Sequence, residues 1–174
     1  MKLIIKSYNA LNRRIYKLIK IPIAIVHNIH FPFSNYLYKG TFHSENLIVD
    51  VGCADNPDLS IFMIEKFNLT AIAIDPTLKH KEALLNLERD LSNFTFFPLA
   101  VSNQNGKIAF HESLENVSGS ILSDHKNIID DTTTEYEVDS VSLKGLAEII
   151  GKEVDLLKLD LEGAEYELIG YVEK

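Results

Sequence analysis

Leu47-Ile48-Val49-Asp50-Val51-Gly52-Cys53-Ala54-Asp55-Asn56-Pro57-Asp58 joins three signals whose combined reading decides the fold. Leu47–Val51 is a short apolar run suited to a strand buried on both faces of a parallel sheet. Gly52 lets the backbone turn sharply and lets a ligand approach the main chain. Asn56-Pro57-Asp58 then reads as a helix start: Asn can cap, Pro suits the first helical position, and an acid favours the first turn. A helix is therefore expected over about residues 57–67, its free N–H groups completing a ligand cradle at the end of the strand.

Outward from this unit the pattern repeats. Thr70–Ile74 is a second buried strand, and Leu78, Leu84, Leu87 and Leu91 recur at near-helical spacing behind it. Residues 94–101 read as a third strand. Asn105-Gly106 is a strong turn signal before a short strand at 107–111, which predicts a hairpin. Residues 112–134 are polar and aperiodic, a long loop of the kind that often carries function. A strand at 136–138 follows, then helix Leu143–Ile150 capped by Ser142 or Ser140, a buried strand at 155–161, and a helix from about Gly163. The alternation implies an α/β, Rossmann-like, mostly parallel sheet.

Three acids fall where such a sheet would place them on one rim. Asp50 lies in the turn where a dinucleotide enzyme carries Gly-x-Gly-x-x-Gly for a pyrophosphate. A carboxylate there suits a cationic ligand better, and S-adenosylmethionine has a sulfonium and an ammonium but no phosphate. Asp75, 25 residues after Asp50, ends the second strand, where a carboxylate can accept both ribose hydroxyls; the alternative is an acid that opens a turn with Pro76. Asp160, in Leu157-Lys158-Leu159-Asp160-Leu161-Glu162-Gly163-Ala164-Glu165, would emerge at the same edge. Glu162 and Glu165 have a competing use in the first turn of the next helix, a role more natural for Glu165 than for Asp160.

The 174 residues, 46% apolar and 24% charged, suit one ordinary globular domain. Cys53, the one cysteine, rules out an internal disulfide and leaves no Cys/His zinc spacing, so no structural metal is expected and a reducing, cytoplasmic setting is the default. The net charge of −8 conceals a division: no acid precedes Glu45, while Lys2, Lys6, Arg13, Arg14, Lys17, Lys20 and Lys39 give residues 1–44 a charge of +7 and leave −15 for residues 45–174. A basic N-terminal helical segment (1–44) ahead of a Rossmann-like domain (45–174) is the expected organisation. The apolar stretch at 18–29 is interrupted by Lys20, Pro22, His27 and Asn28 and is too short to span about 30 Å of hydrocarbon; it also lacks a signal-peptide cleavage site. Leu3, Ile4, Leu11, Ile15, Leu18 and Ile19 make one helical face amid basic residues. Such a face usually packs on its own domain, and its alternative use is peripheral contact with the inner face of a membrane. An acidic body and a tail with few interleaved aromatics argue against nucleic acid as a partner.

Asp50-Val51-Gly52, Ala73-Ile74-Asp75-Pro76, Pro98-Leu99-Ala100-Val101-Ser102 with Gly106 to Phe110, Ser118-Gly119-Ser120 and the Leu157 to Glu165 motif resemble, in that order, the FkbM-type methyltransferases. The resemblance covers residues 47–170, and its last motif is the most specific. It implies a class I methyltransferase fold, S-adenosylmethionine as methyl donor, and O-methylation of a hydroxyl on a sugar, polyketide or related metabolite. In that scheme Asp50 and Gly52 hold the methionine portion, Asp75 the ribose, and Ala100 and Ser102 the adenine. Asp160 or Glu162 is the base or acceptor-positioning group, with His125 of the polar loop as a second candidate base.

Two departures accompany the resemblance. Asn56 stands where the family usually has a second glycine, which keeps capping ability but adds a side chain near the methionine end. The chain stops at Lys174, shortly after the fourth strand, whereas the complete fold continues for about three more strands; the expectation is an incomplete sheet with an exposed edge open to self-association. The competing readings are a truncated or degenerate domain without independent activity and a nucleotide-dependent oxidoreductase, the latter disfavoured by the missing glycine fingerprint.

Overall fold

The computed structural model describes residues 29–30, 38–39, 42–123, 128 and 130–172. The N-terminal helical face and His125 lie outside these residues. Within residues 1–41, strand β1 (Ile29–His30) pairs antiparallel with β2 (Tyr38–Lys39). Residues 42–174 form a separate compact unit. Its elements are β3 (Leu47–Val51), α1 (Asp58–Phe67), β4 (Thr70–Ile74), α2 (Leu78–Asp90), β5 (Phe94–Phe97), β6 (Ala100–Ser102), β7 (Gly106–Ser113), β8 (Gly119–Ser120), β9 (Thr133–Ser142), α3 (Leu143–Ile150), β10 (Leu156–Leu159) and α4 (Glu165–Val172).

The first sheet has the order β10-β3-β4-β5, every neighbour parallel. β3 is buried along its whole length, as its run of Leu, Ile and Val requires. Helices α1 and α2 bury Leu59, Met63, Ile64 and Leu84. In one apolar cluster, Val49, Val51 and Ile74 of this sheet pack with Val101 of β6, Leu146 of α3 and Leu168 of α4. Fully removing a side chain of this size from water contributes about 1.5–3 kcal/mol, so the β3 turn rests on a well-buried core. Helix α1 begins at Asp58 without a side-chain cap: the Asp58 N–H bonds the Asn56 carbonyl at 2.7 Å, so Asn56 serves through its backbone and not as the expected side-chain cap. It ends on Asn68 in the left-handed conformation (φ 54°), whose N–H closes on the Ile64 carbonyl.

The second sheet has the order β6-β9-β7-β8, with β6 parallel and β7 antiparallel to β9. Two expectations are corrected here. The single strand read over 94–101 is two, β5 and β6, in different sheets. Pro98 offers no N–H to continue a ladder, and a tight turn from Leu99 N–H to the Phe97 carbonyl (2.9 Å) redirects the chain. The Asn105-Gly106 turn forms, with Gly106 at φ 120°, but the strands it joins do not make a hairpin. β9 lies between them: Ser140 is the register partner of both Ala100 and Gly106. Both β7 and β9 also run well beyond the expected 107–111 and 136–138, which shortens the polar loop and leaves β8 within it.

Helix α3 matches its predicted span, with Ser142 Oγ accepting the Gly145 N–H at 3.1 Å while Ser140 is buried elsewhere. β10 is shorter than the 155–161 expected, and as an outer strand of the described sheet it leaves Leu157 41% exposed. Among the described residues no helix is long and apolar enough to cross a membrane.

Candidate active site

The carboxyl ends of β3, β4 and β10 open on a cavity of about 220 Å3, which the Val117 to Ile121 segment around β8 also lines. This is the edge on which open parallel α/β sheets bind ligands. Gly52, Asp75, Ala100, Asp160 and Glu162 all line it; Asp50 and Ser102 do not.

Asp75 follows the last residue of β4 and is only 5% exposed. Its Oδ2 accepts the Ala54 N–H at 3.0 Å, and its Oδ1 accepts the Thr77 N–H at 2.9 Å and faces His80 Nδ1 at 3.3 Å. Burial works to raise its pKa, but the hydrogen bonds from His80 and Thr77 and the attraction of His80 outweigh it and hold the carboxyl below its ordinary range. The carboxylate is thus fixed as an anion in a nearly dry place. Pro76 does follow it in a turn, so the turn-forming use and a site on the cavity coexist.

Asp50 sits one layer beneath. It is 1% exposed, accepts the Ser60 hydroxyl at Oδ2 (3.0 Å), and meets the Lys158 ammonium at Oδ1 (2.9 Å) in an ion pair rather than an aligned hydrogen bond. Lys158 also donates to the Gly52 carbonyl at 2.9 Å and lies 3.9 Å from Asp160 Oδ2. The three acids therefore do not share one environment: Asp75 and Asp160 face the cavity, and Asp50 is neutralised below it. Burial first, and then the charges of Asp75 and Asp50, push the neighbouring Cys53 thiol far above its ordinary pKa.

Gly52, at φ 69°, owes its identity to the protein as well as to any ligand, since a Cβ there would lie 1.8 Å from the Asp160 carbonyl oxygen. Ala54 (φ 56°) and Glu162 (φ 51°) are non-glycine residues held left-handed at the cavity wall. Such strain costs on the order of 1–3 kcal/mol per residue and concentrates at ligand sites. Glu162 accepts the Ser118 hydroxyl at Oε1 (3.3 Å), and its carbonyl accepts from Ser120 Oγ (3.4 Å). The Ser118-Gly119-Ser120 motif is thereby tied to the Asp160 motif. Glu165 turns back on the same loop, accepting the Gly163 N–H at 2.9 Å and the Leu161 N–H at 3.3 Å, which is the helix-start use foreseen for it.

Ala100 and Phe110, both buried, supply apolar wall. Ser102 instead shares its hydroxyl with Ser140 at 2.8 Å and bonds the Gln104 backbone. The residues that sequence reasoning passed over are His80, Lys158 and Ala54. For His80 a signal existed: it stands four residues before Leu84, on the helix face that packs inward. Among the described residues no group of His, Cys, Asp or Glu side chains could hold a metal ion.

A parallel sheet with a glycine turn after its first strand and a buried acid after its second defines a Rossmann-like α/β domain with its ligand site on the carboxyl rim. The family model of the methyltransferase FkbM domain matches residues 31–174, and the chain belongs to that family. No curated protein matches the chain closely enough to count as a relative.

Proposed function

We propose that the domain binds S-adenosylmethionine and methylates a hydroxyl group on a sugar or related small metabolite. The observation that carries this reading is Asp75, a buried anion at the end of β4 that lines the cavity together with the apolar Ala100 and Phe110. That pairing suits a ribose at the acid and a purine against the apolar wall. At about 220 Å3 the cavity is smaller than the roughly 300–1,000 Å3 usual for small-molecule sites, a size for the nucleoside part of the cofactor rather than its whole.

Bound at this rim, S-adenosylmethionine would supply an electrophilic methyl group on a sulfonium. The chain's own part is to orient and to manage one proton. Asp75 takes a ribose hydroxyl. Asp50 and Gly52, joined through Lys158, hold the turn beneath the methionine portion, and the −1 charge of Asp50 is already balanced there. Asp160, whose side chain is 56% exposed at the rim, and Glu162 beside it are the carboxylates able to receive the acceptor's hydroxyl proton. Correct alignment of acceptor and donor contributes more than the base, because a positioned reaction gains the entropy that a bimolecular encounter loses.

Calorimetric titration with S-adenosylhomocysteine tests the cofactor, with NADH as the comparison. Binding of S-adenosylhomocysteine that is lost in Asp75→Asn is expected; binding of NADH with no response to S-adenosylhomocysteine would overturn the reading. Transfer of labelled methyl from S-adenosylmethionine to a panel of saccharides and hydroxylated metabolites then tests the acceptor class.

A further inference from the structure

His80 is the third residue of α2, is 3% exposed, and lines the cavity beside Asp75. Its Nδ1 faces a carboxylate oxygen that can only accept, so Nδ1 carries the proton, and in the neutral ring Nε2 is left as a bare acceptor. Nε2 is buried and has no hydrogen-bond partner among the described residues. Buried polar atoms are nearly always paired, and one left unpaired at a ligand cavity calls for a partner that the protein itself does not supply.

Counting lone pairs at Asp75 shows what that partner would be. A carboxylate offers about four acceptor positions, and the Ala54 N–H, the Thr77 N–H, the Thr77 side chain and His80 Nδ1 already call on them. A ribose presents two adjacent hydroxyl donors to such a site, more than Asp75 alone can serve.

We infer that His80 is a specificity residue of the nucleoside site: its Nε2 accepts one of the two ribose hydroxyls of the cofactor, which the crowded Asp75 carboxylate cannot serve together. The inference rests on the S-adenosylmethionine reading above and assigns the diol to a carboxylate and an imidazole rather than to the carboxylate alone.

The test uses the full 174-residue chain, S-adenosylhomocysteine, and its 2′-deoxy and 3′-deoxy analogues. His80→Asn keeps an amide N–H for Asp75 in the place of Nδ1 and deletes Nε2. It should weaken S-adenosylhomocysteine about tenfold, the size of one hydrogen bond, and should cost nothing further with the analogue that lacks the hydroxyl served by His80. In the wild-type chain both deoxy analogues should lose affinity, an arm that does not depend on any variant folding. The 15N resonance of His80 Nε2 should shift upfield when S-adenosylhomocysteine is added and stay in place with one of the two analogues. Unchanged affinity in a folded His80→Asn, losses from variant and analogue that simply add for both hydroxyls, or a wild-type chain indifferent to one deoxy analogue would each overturn the role of His80. A wild-type chain that binds no S-adenosylhomocysteine would overturn the cofactor reading, and this inference with it.

Discussion

Lys158 and Asp50 are register partners on adjacent parallel strands, and their side chains meet at 2.9 Å beneath the ligand cavity. The ammonium is 15% exposed and the carboxylate 2%, so the pair is internal, and the same ammonium bonds the Gly52 carbonyl. The turn at the head of the cavity is therefore held from below by an ion pair between β3 and the outer strand β10.

Removing one partner of such a pair leaves the other charge buried and uncompensated. Lys158→Met should destabilise the domain by about 3–5 kcal/mol. The double variant Lys158→Met/Asp50→Asn should recover a large part of that loss, because no lone charge remains. Urea unfolding of the single and double variants reads the difference; equal stability of the two would show that the pair does not couple.

The acid limb of stability should carry the signature of Asp75. Its folded pKa is held below the ordinary value of 3.8, so the stability it contributes is present above that value and is lost as pH falls through the lower folded one. Urea midpoints measured between about pH 5 and pH 2 should fall more steeply for the wild type than for Asp75→Asn. Parallel pH profiles would contradict this.

Cys53 should be chemically silent in the native state. It is 5% exposed, and burial with the flanking Asp75 and Asp50 charges disfavours the reactive thiolate. A disulfide reagent at pH 8 should titrate one thiol per chain in guanidinium and react at least a hundredfold more slowly, on the order of the local opening rate, without it. Rapid native labelling would mean that the β3 turn opens readily.

What the sequence disclosed follows from the range of the interactions involved. Leu47–Val51, Thr70–Ile74 and Leu143–Ile150 were legible because an unbroken apolar run or a Ser cap with helical spacing is a local signal. The placing of Gly52, Asp75 and Asp160 on one rim was legible because parallel strands share a carboxyl edge. The insertion of β9 between β6 and β7 was not, since Ser140 pairing with both Ala100 and Gly106 is decided by contacts more than 30 residues apart in sequence. The surroundings of Asp50 were hidden for the same reason. Its counterion, Lys158, is fixed by strand register and lies 108 positions along the chain, so the sequence alone does not show that the carboxylate is buried in an ion pair. Ser102 likewise meets its partner, Ser140, only through the β6–β9 pairing.

Gly119 gives the sharpest link between packing and ligand. A Cβ at this position would lie 2.6 Å from Cε1 and Cζ of Phe110, closer than side-chain carbons approach. Phe110 is 4% exposed and shares the cavity wall with Gly119, so its ring cannot yield without disturbing that wall. Gly119→Ala should therefore cost about 1–3 kcal/mol of stability by overpacking. It should also weaken S-adenosylhomocysteine by more than Ser102→Ala, whose hydroxyl lies outside the cavity. Melting temperatures give the first effect and calorimetry the second. A Gly119→Ala chain with native stability and native affinity would show that the ring moves freely, and that the apolar wall is not the fixed surface on which the purine assignment depends.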